Sequence, residues 1–245
     1  MDSFFLLTAL AVAPGIYLSL VIYGKDKYDP EPKRILLTAF LLGCISTIPA
    51  AIIEMLLKEP LAITGSSLIN VAISAFAGVG LVEELCKFFF LRIHAFRKPQ
   101  FNEPFDGIVY ATFVGLGFAT AENLLYVYQH GFGTGVLRMF TAVPAHYAFG
   151  VIMGYYVGKA KFEPGRRATL MFLGVFYAAF MHGAYDFFAL QRNIPALTIF
   201  TIGVLLMALR ISRRSIEELH ADSAFRFHER KLAEERAPAE RTDLL

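Results

Sequence analysis

The sequence predicts an all-α protein, a polytopic bundle of about seven transmembrane helices. Of its 245 residues, 56% are hydrophobic and 18% are charged, whereas a soluble domain has just under half apolar residues and about a quarter charged ones. The mean hydropathy is +0.52, and seven apolar runs approach the roughly 20 residues that a helix needs to cross a bilayer. This composition excludes a disordered chain, a disulfide-stabilised scaffold and an ordinary soluble enzyme. No basic stripe indicates nucleic acid as a partner.

Short polar connections separate the apolar runs and define the spans. The predicted spans are residues 4–23, 35–57, about 68–94, 107–128, 136–157, 168–190 and 194–211. The first run lacks a basic leader and a clear cleavage site, which favours a retained helix over a signal peptide. The last run is short, and Pro195 suits its first turn. We expect one transmembrane domain, residues 1–211, followed by a charged cytoplasmic tail, residues 212–245.

Basic residues set the predicted orientation, because the cytoplasmic loops of membrane proteins are rich in Lys and Arg. The connections after spans 1, 3 and 5 hold Lys25, Lys27, Lys33, Arg34, Arg92, Arg97, Lys98, Lys159, Lys161, Arg166 and Arg167. The alternate connections hold only Lys58 and Arg192. The sequence therefore predicts an N-terminus outside the cytoplasm and a cytoplasmic C-terminus, and the strict alternation supports seven spans.

Three charged residues near span ends have simple structural interpretations. Glu54 precedes Lys58 by four residues, which predicts an ion pair at the membrane interface. Arg138 and Arg210 are expected to extend their charged ends to the membrane surface.

The other polar residues of the spans lie deep, where an unpaired charge is costly. They are Glu83, Glu84, Lys87, Glu122, His146, His182 and Asp186. Glu83 and Lys87 are four residues apart, as are His182 and Asp186, so each pair shares one helix face. We expect these groups to converge, and a purely structural polar network is the alternative.

A ridge of glycines supports this convergence. Gly150, Gly154 and Gly158 follow His146 at four-residue spacing, and small residues at that spacing let membrane helices approach closely. His146 is therefore expected to face another helix. The ridge could pack inside the chain or between two chains, which leaves the oligomeric state open.

Depth in the membrane decides whether the polar groups can meet. At about 1.5 Å per residue, Glu122 and both histidines lie roughly 9 to 15 Å below the outer ends of their spans. Glu83 comes to a similar depth if its span begins near Ser74, so residues 66–73 are expected in an outer loop or surface turn. The predicted cluster then lies in the outer half of the membrane.

Two histidines with several carboxylates suit hydrolysis by either of two mechanisms. In the first, imidazoles and a carboxylate bind Zn²⁺ while a further glutamate acts as general base. In the second, which uses no metal, a buried glutamate activates water and histidines stabilise the oxyanion. The alternatives from other classes are a proton-coupled transporter, which also uses buried Glu, His and Asp, and a non-catalytic membrane scaffold.

Four motifs occur in order on successive spans. They are EExxK from Glu83 to Lys87, FxxxE from Phe118 to Glu122 continuing into Asn123, the isolated His146, and HxxxD from His182 to Asp186. This ordered set resembles the PrsW family of intramembrane proteases, which is similar to the CAAX prenyl endopeptidase and bacteriocin-processing group. The segment 29–33 (DPEPK) resembles the acidic, proline-containing loop of that family, so the resemblance covers roughly residues 1–210.

The resemblance implies cleavage of a peptide bond in or near a bacterial cytoplasmic membrane, in which this chain would be a multi-pass protein surrounded by lipid. Its implied partner is a transmembrane protein substrate. The known substrates of the family are single-span anti-sigma factors, cut first on their extracytoplasmic side. That side agrees with the predicted depth of the polar cluster.

For such a reaction Glu83 is the expected general base. Glu84 is expected to support it or to bind the metal. Lys87 is expected to pair with a carboxylate and hold it ionised.

Glu122, His146 and His182 are expected to bind Zn²⁺, or else to position water and the oxyanion. Asp186 is expected to orient His182 through one helical turn, as carboxylates commonly orient metal-binding imidazoles. The motif residues expected to support these ligands from behind are Asn123 and Phe118.

Overall fold

The computed structural model describes residues 2–61 and 67–242 of the chain. Within these ranges all regular structure is helical, and seven helical segments are long and apolar enough to cross a membrane. The segments are Phe4–Tyr23, Lys33–Leu57, Leu68–His94, Pro104–His130, Phe132–Phe162, Pro164–Leu190 and Pro195–Ser223. The predicted all-α fold with seven spans is therefore confirmed, whereas the orientation of the termini stays a prediction.

The α-helices in the described residues are α1 (Asp2–Tyr23), α2 (Lys33–Leu57), α3 (Leu68–Ile73), α4 (Leu81–His94), α5 (Pro104–His130), α6 (Phe132–Phe140), α7 (Ala142–Phe162), α8 (Arg167–Leu190) and α9 (Ile199–Thr242). A π-helix, Ser74–Gly80, joins α3 to α4. Short 3₁₀ helices, Pro164–Arg166 and Pro195–Thr198, precede α8 and α9. The fifth predicted span is thus two helices, α6 and α7, which meet at Thr141.

Local chemistry fixes both ends of the central helix α5. Pro104 occupies its first turn, where a missing N–H costs nothing. The Asp106 side chain accepts a hydrogen bond of 2.9 Å from the Glu103 backbone N–H, and the Glu103 side chain caps the Asp106 backbone in return. At the other end Gly131 has a φ of 81°, a conformation that favours glycine. The chain turns there into α6.

Residues 68–73 correct one prediction, because they form helix α3 and not an outer loop or surface turn. The Ser67 hydroxyl accepts a hydrogen bond of 3.2 Å from the backbone N–H of Asn70 and so starts the helix. From there α3 continues through the π-helix into α4. A rise of about 1.5 Å per residue gives depth only for a helix parallel to the bilayer normal, whereas membrane helices tilt. Residue 66 lies outside the described residues.

The backbones of α5 and α7 touch along the glycine ridge. A Cβ atom added to Gly154 would lie 2.4 Å from the carbonyl oxygen of Gly107, and one added to Gly158 would lie 2.0 Å from that of Pro104. No side chain fits at such distances. The glycine ridge therefore packs within one chain and not between two chains.

Helix α9 continues without a break past residue 212, where the tail was expected to begin. The Ser212 hydroxyl donates a hydrogen bond of 3.0 Å to the carbonyl oxygen of Ala148. Ile216 and Leu219 are buried in the main hydrophobic core, and the Ser223 hydroxyl donates to a Glu103 carboxylate oxygen at 2.6 Å. Residues 212–223 thus pack against the bundle, and the division into domain and tail stays a prediction.

We expect Gly154→Ala to destabilise the protein by about 1–3 kcal/mol, because the added methyl group overlaps main-chain atoms of α5. Gly203→Ala is the matched control, since nothing lies within 4 Å of the place its Cβ would take. Thermal unfolding of both variants in detergent measures the effect. Equal unfolding midpoints would contradict direct contact between the two backbones.

Candidate active site

The deep polar residues predicted from the sequence come together from four helices. Helix α4 carries Glu83, Glu84 and Lys87, α5 carries Glu122, α7 carries His146, and α8 carries His182 and Asp186. Hydrogen bonds or ion pairs connect all of them into one network.

The Lys87 ammonium group lies at the centre of this network. Its Nζ atom is 2.7 Å from Glu84 Oε1, 3.0 Å from Glu83 Oε2 and 3.0 Å from His146 Nδ1. It also lies 4.0 Å from the centroid of the Phe118 ring, a cation–π contact. Two carboxylates, an imidazole and an aromatic face therefore surround one buried positive charge.

His182 connects the two glutamates to Asp186. Its Nδ1 atom lies 2.9 Å from Glu84 Oε1, and its Nε2 atom lies 3.4 Å from Asp186 Oδ2 and 3.8 Å from Glu83 Oε2. The contact with Asp186 is the one that the HxxxD spacing predicts. Both ring nitrogens are thus oriented by carboxylates.

His146 lies between Lys87 and Glu122. Because Lys87 donates a hydrogen bond to Nδ1, the proton of the neutral ring is on Nε2, which donates to Glu122 Oε2 at 3.0 Å. Arg138 Nη2 is 2.8 Å from the same Glu122 oxygen. The main chain also fixes this part of α7, since a Cβ atom on Gly115 of α5 would lie 3.1 Å from the His146 carbonyl oxygen.

A cavity of about 370 Å³ opens beside the network. The acidic, basic and histidine residues that line it are Glu54, Glu83, Glu122, Arg138, His146, His182 and Asp186. Glu84 and Lys87 do not line it and are almost completely buried. A reactant in the cavity could therefore reach Glu83 and both histidines. Glu84 and Lys87 lie on the side away from the cavity and form hydrogen bonds to these residues.

Residues 31–211 match the family described as PrsW family intramembrane metalloprotease. The chain belongs to the PrsW family. The matched region contains every residue of the network just described.

Proteins named Protease PrsW from three bacteria illustrate the relationship. The one from Bacillus subtilis is 38% identical over 75% of this chain and 82% of its own length. The one from Geobacillus kaustophilus is 37% identical over 77% of this chain and 82% of its own length. The one from Clostridioides difficile is 33% identical over 81% of this chain and 85% of its own length. No solved structure matches the chain significantly.

These matches confirm the predicted family and the predicted class of activity, an intramembrane protease. As a PrsW-family member with seven potential spans, the chain is a multi-pass membrane protein.

The metalloprotease description of the PrsW family can be tested against the residues present. Glu83, Glu84, His146 and His182 each offer one donor atom, and these atoms all lie within 4.8 Å of one another. Imidazole nitrogens and carboxylate oxygens are donors that zinc accepts. Glu84 Oε2 is buried without a hydrogen-bond partner, which leaves it free for a metal. The donor types therefore fit a metal ion, in a compact group that includes Glu83 and not Glu122, and such an ion would have to displace the Lys87 ammonium group from Glu83, Glu84 and His146.

Glu54 is a residue of the cavity that the sequence analysis missed. It was expected to pair with Lys58, but no ion pair joins the two within the described ranges, and the Glu54 side chain lines the cavity. A signal was present in the sequence. Gly43, Ser46 and Ala50 form a buried stripe of small residues, and helical spacing continues this stripe to Glu54.

Arg138 was also assigned wrongly, since it does not extend to the membrane surface. The break at Thr141 separates α6 from α7. Arg138 turns inward to Glu122, donates from Nε to Asn123 Oδ1 at 3.0 Å, and lies 4.0 Å from the Tyr126 ring centroid. It thus adds a second positive charge to the network.

We expect Lys87→Met to destabilise the protein by about 3–5 kcal/mol, because it leaves buried carboxylates without their cation. Lys58→Met, at an exposed position, serves as the control. Unfolding is measured in detergent with EDTA present, so that no metal replaces the lost charge. A Lys87→Met protein as stable as the control would show that the ammonium group does not hold the network together.

Proposed function

We propose that this protein hydrolyses a peptide bond of a single-span membrane protein inside a bacterial cytoplasmic membrane. The observation that carries the proposal is the convergence of Glu83, Glu84, His146 and His182 beside an open cavity. The family resemblance implies a substrate of the anti-sigma-factor type.

Glu83 is the proposed general base. Of the two adjacent glutamates it is the one that lines the cavity, so a water molecule there can donate a hydrogen bond to its carboxylate. Glu83 would take the proton as the water oxygen attacks the scissile carbonyl, and would return it to the leaving amine. Lys87, 3.0 Å from Glu83 Oε2, favours the ionised form that accepts the proton.

His146 and His182 would stabilise the negative charge that develops on the carbonyl oxygen by sharing with it the Nε2–H groups that face Glu122 and Asp186. Both line the cavity, and both are held by carboxylates, so their positions are set before a substrate arrives. In the alternative with a metal, Glu84, His146 and His182 would hold a zinc ion and Glu83 would lie beside it, whereas Glu122 is outside the group of close donor atoms. Zinc bound there would supply Lewis acidity to the site. Glu83 has the same role in both mechanisms.

The proposed cleavage site lies in the extracytoplasmic half of the bilayer. Glu54, Tyr126 and Leu190, near the C-terminal ends of α2, α5 and α8, all line the cavity. In the predicted topology these three helices run from the cytoplasm outward. The substrate helix would have to unwind locally there, because its peptide groups are hydrogen-bonded within the helix.

Glu83→Gln and His182→Ala are expected to leave the fold intact and to lower cleavage at least about 100-fold, through loss of the base and of an oxyanion donor. Glu163→Gln, which alters a carboxylate paired with the exposed Arg166, should retain activity. The assay follows cleavage of tagged single-span anti-sigma factors from the source bacterium in proteoliposomes. Circular dichroism verifies folding.

Cleavage retained by purified, folded Glu83→Gln would overturn the assignment of the base. A proton flux across the same liposomes without cleavage of any substrate would favour a transporter.

Metal analysis distinguishes the two mechanisms. Protein purified without chelators is expected to contain one zinc ion per chain, and His146→Ala is expected to lose it, because His146 is a proposed ligand. His130→Ala, at the exposed end of α5, is the control and should retain the metal. Zinc-free protein that cleaves its substrate would exclude the zinc mechanism and support the metal-free one.

A further inference from the structure

Four carboxyl groups are buried together at the end of α5 far from the active site. They are Asp26 and Glu31 from the α1–α2 connection and Glu103 and Asp106 from the start of α5, which we call the acidic cluster. Each of these residues exposes 4% or less of its surface. Asp106 and Glu122 are separated by a helix length of roughly 24 Å, so the acidic cluster is distinct from the active site.

Hydrogen bonds hold one oxygen of each of three carboxyl groups. Asp26 Oδ2 accepts from the Glu31 backbone N–H at 2.8 Å, and Asp106 Oδ2 accepts from the backbone N–H groups of Asn102 and Glu103 at 2.8 and 2.9 Å. Glu31 Oε2 accepts from the Tyr110 hydroxyl. These contacts fix the carboxyl groups in place without neutralising them.

The second oxygen of each of these three groups is buried and has no hydrogen-bond partner. The atoms are Asp26 Oδ1, Glu31 Oε1 and Asp106 Oδ1. Among the described ion pairs, none involves any of the three residues. Burial raises the pKa of Asp26 to about 6 and the pKa of Glu31 to about 7, because the lost hydration outweighs the hydrogen bonds that these groups accept. The Lys161 ammonium group acts electrostatically on Glu31 and Asp106 but forms no ion pair with either.

The geometry and the donor type point to a ligand. One carboxylate oxygen each from Asp26, Glu103 and Asp106 lies within 4.8 Å of the others. Glu31, which is outside that trio, lies within hydrogen-bonding reach of Asp106 and contributes a further unpartnered oxygen. All donors are carboxylate oxygens, the set preferred by hard cations such as Mg²⁺, Ca²⁺ and Mn²⁺. The active site differs in offering imidazoles.

We propose that the acidic cluster binds one hard divalent cation, which ties the α1–α2 connection to the start of α5. Through the hydrogen bond between Glu103 and Ser223, the cation would also stabilise the position of α9. The role is structural, since no residue of the acidic cluster lines the active-site cavity.

The test uses full-length protein with both active-site histidines replaced, His146→Ala/His182→Ala, so that those imidazoles cannot bind the probe. After treatment with EDTA and dialysis, Mn²⁺ binding is measured by electron paramagnetic resonance. Thermal unfolding is measured with Mg²⁺, Ca²⁺ or Mn²⁺ added separately. We expect one bound Mn²⁺ per chain and a higher unfolding midpoint with at least one of the three ions.

Glu31→Gln and Asp106→Asn are expected to weaken Mn²⁺ binding by about tenfold or more and to abolish the shift in midpoint. Without cations Asp106→Asn should unfold no earlier than its parent, because Asp106 is buried and burial favours the neutral carboxyl group, which the amide replaces without a change in charge. Glu31→Gln can still accept the Tyr110 hydrogen bond, and Glu163→Gln is the control that should bind Mn²⁺ normally. If the double-histidine variant does not fold, Mn²⁺ binding and thermal unfolding are compared between the wild-type protein and the same three substitutions made in it.

Two results would overturn the proposal. Absence of both Mn²⁺ binding and any shift in midpoint would show that protons alone neutralise the acidic cluster. Binding that is unchanged in both Glu31→Gln and Asp106→Asn would place the cation at other residues.

Discussion

An ammonium group buried among helices must be surrounded by acceptors, and Lys87 meets this requirement with groups from several elements. Its Nζ atom bonds to Glu83 and Glu84 on its own helix and to His146 on α7. Separating α4 from α7 would leave charges uncompensated in a dry environment, which is strongly unfavourable. The two glutamates together carry more negative charge than the single positive charge of Lys87 can balance, and the His182 ring lies against both of them.

The spacing of residues was sufficient to predict which polar groups of the spans converge. Glu83, Lys87, His182 and Asp186 obey helical periodicity, and the glycines after His146 indicated which face of α7 is packed. Since membrane helices contact each other through small residues, these patterns hold regardless of the exact helix ends. The seven spans were also predictable, because the bilayer imposes their length and apolar content.

The rest of the site depends on features without a periodic signal. Arg138 reaches Glu122 because the chain breaks at Thr141. Pro144 in the first turn of α7 was a sequence signal of this break that the apolar pattern concealed, since proline cannot continue a helix through the carbonyl of residue 140. Glu54 could either pair with Lys58, four residues later, or line the cavity. The four-residue spacing favoured the ion pair, and that prediction was wrong. The depth of Glu83 could not be obtained by counting residues, because helix tilt and the π-helix at Ser74–Gly80 both alter the relation between sequence and height.

The contact between the backbones of α5 and α7 sets the tolerance with which the active site is built. Glu122 and His146 are carried by two helices whose main chains touch at Gly115 and at Gly154. No flexible side chain lies between the two helices at these contacts to absorb a change in the distance between them. A thicker or thinner bilayer would tilt such a pair as one rigid body. The hydrogen bond between Glu122 and His146 therefore belongs to a rigid part of the molecule, and α2 shares that rigidity because Gly43 and Gly117 bring its main chain against α5 in the same way.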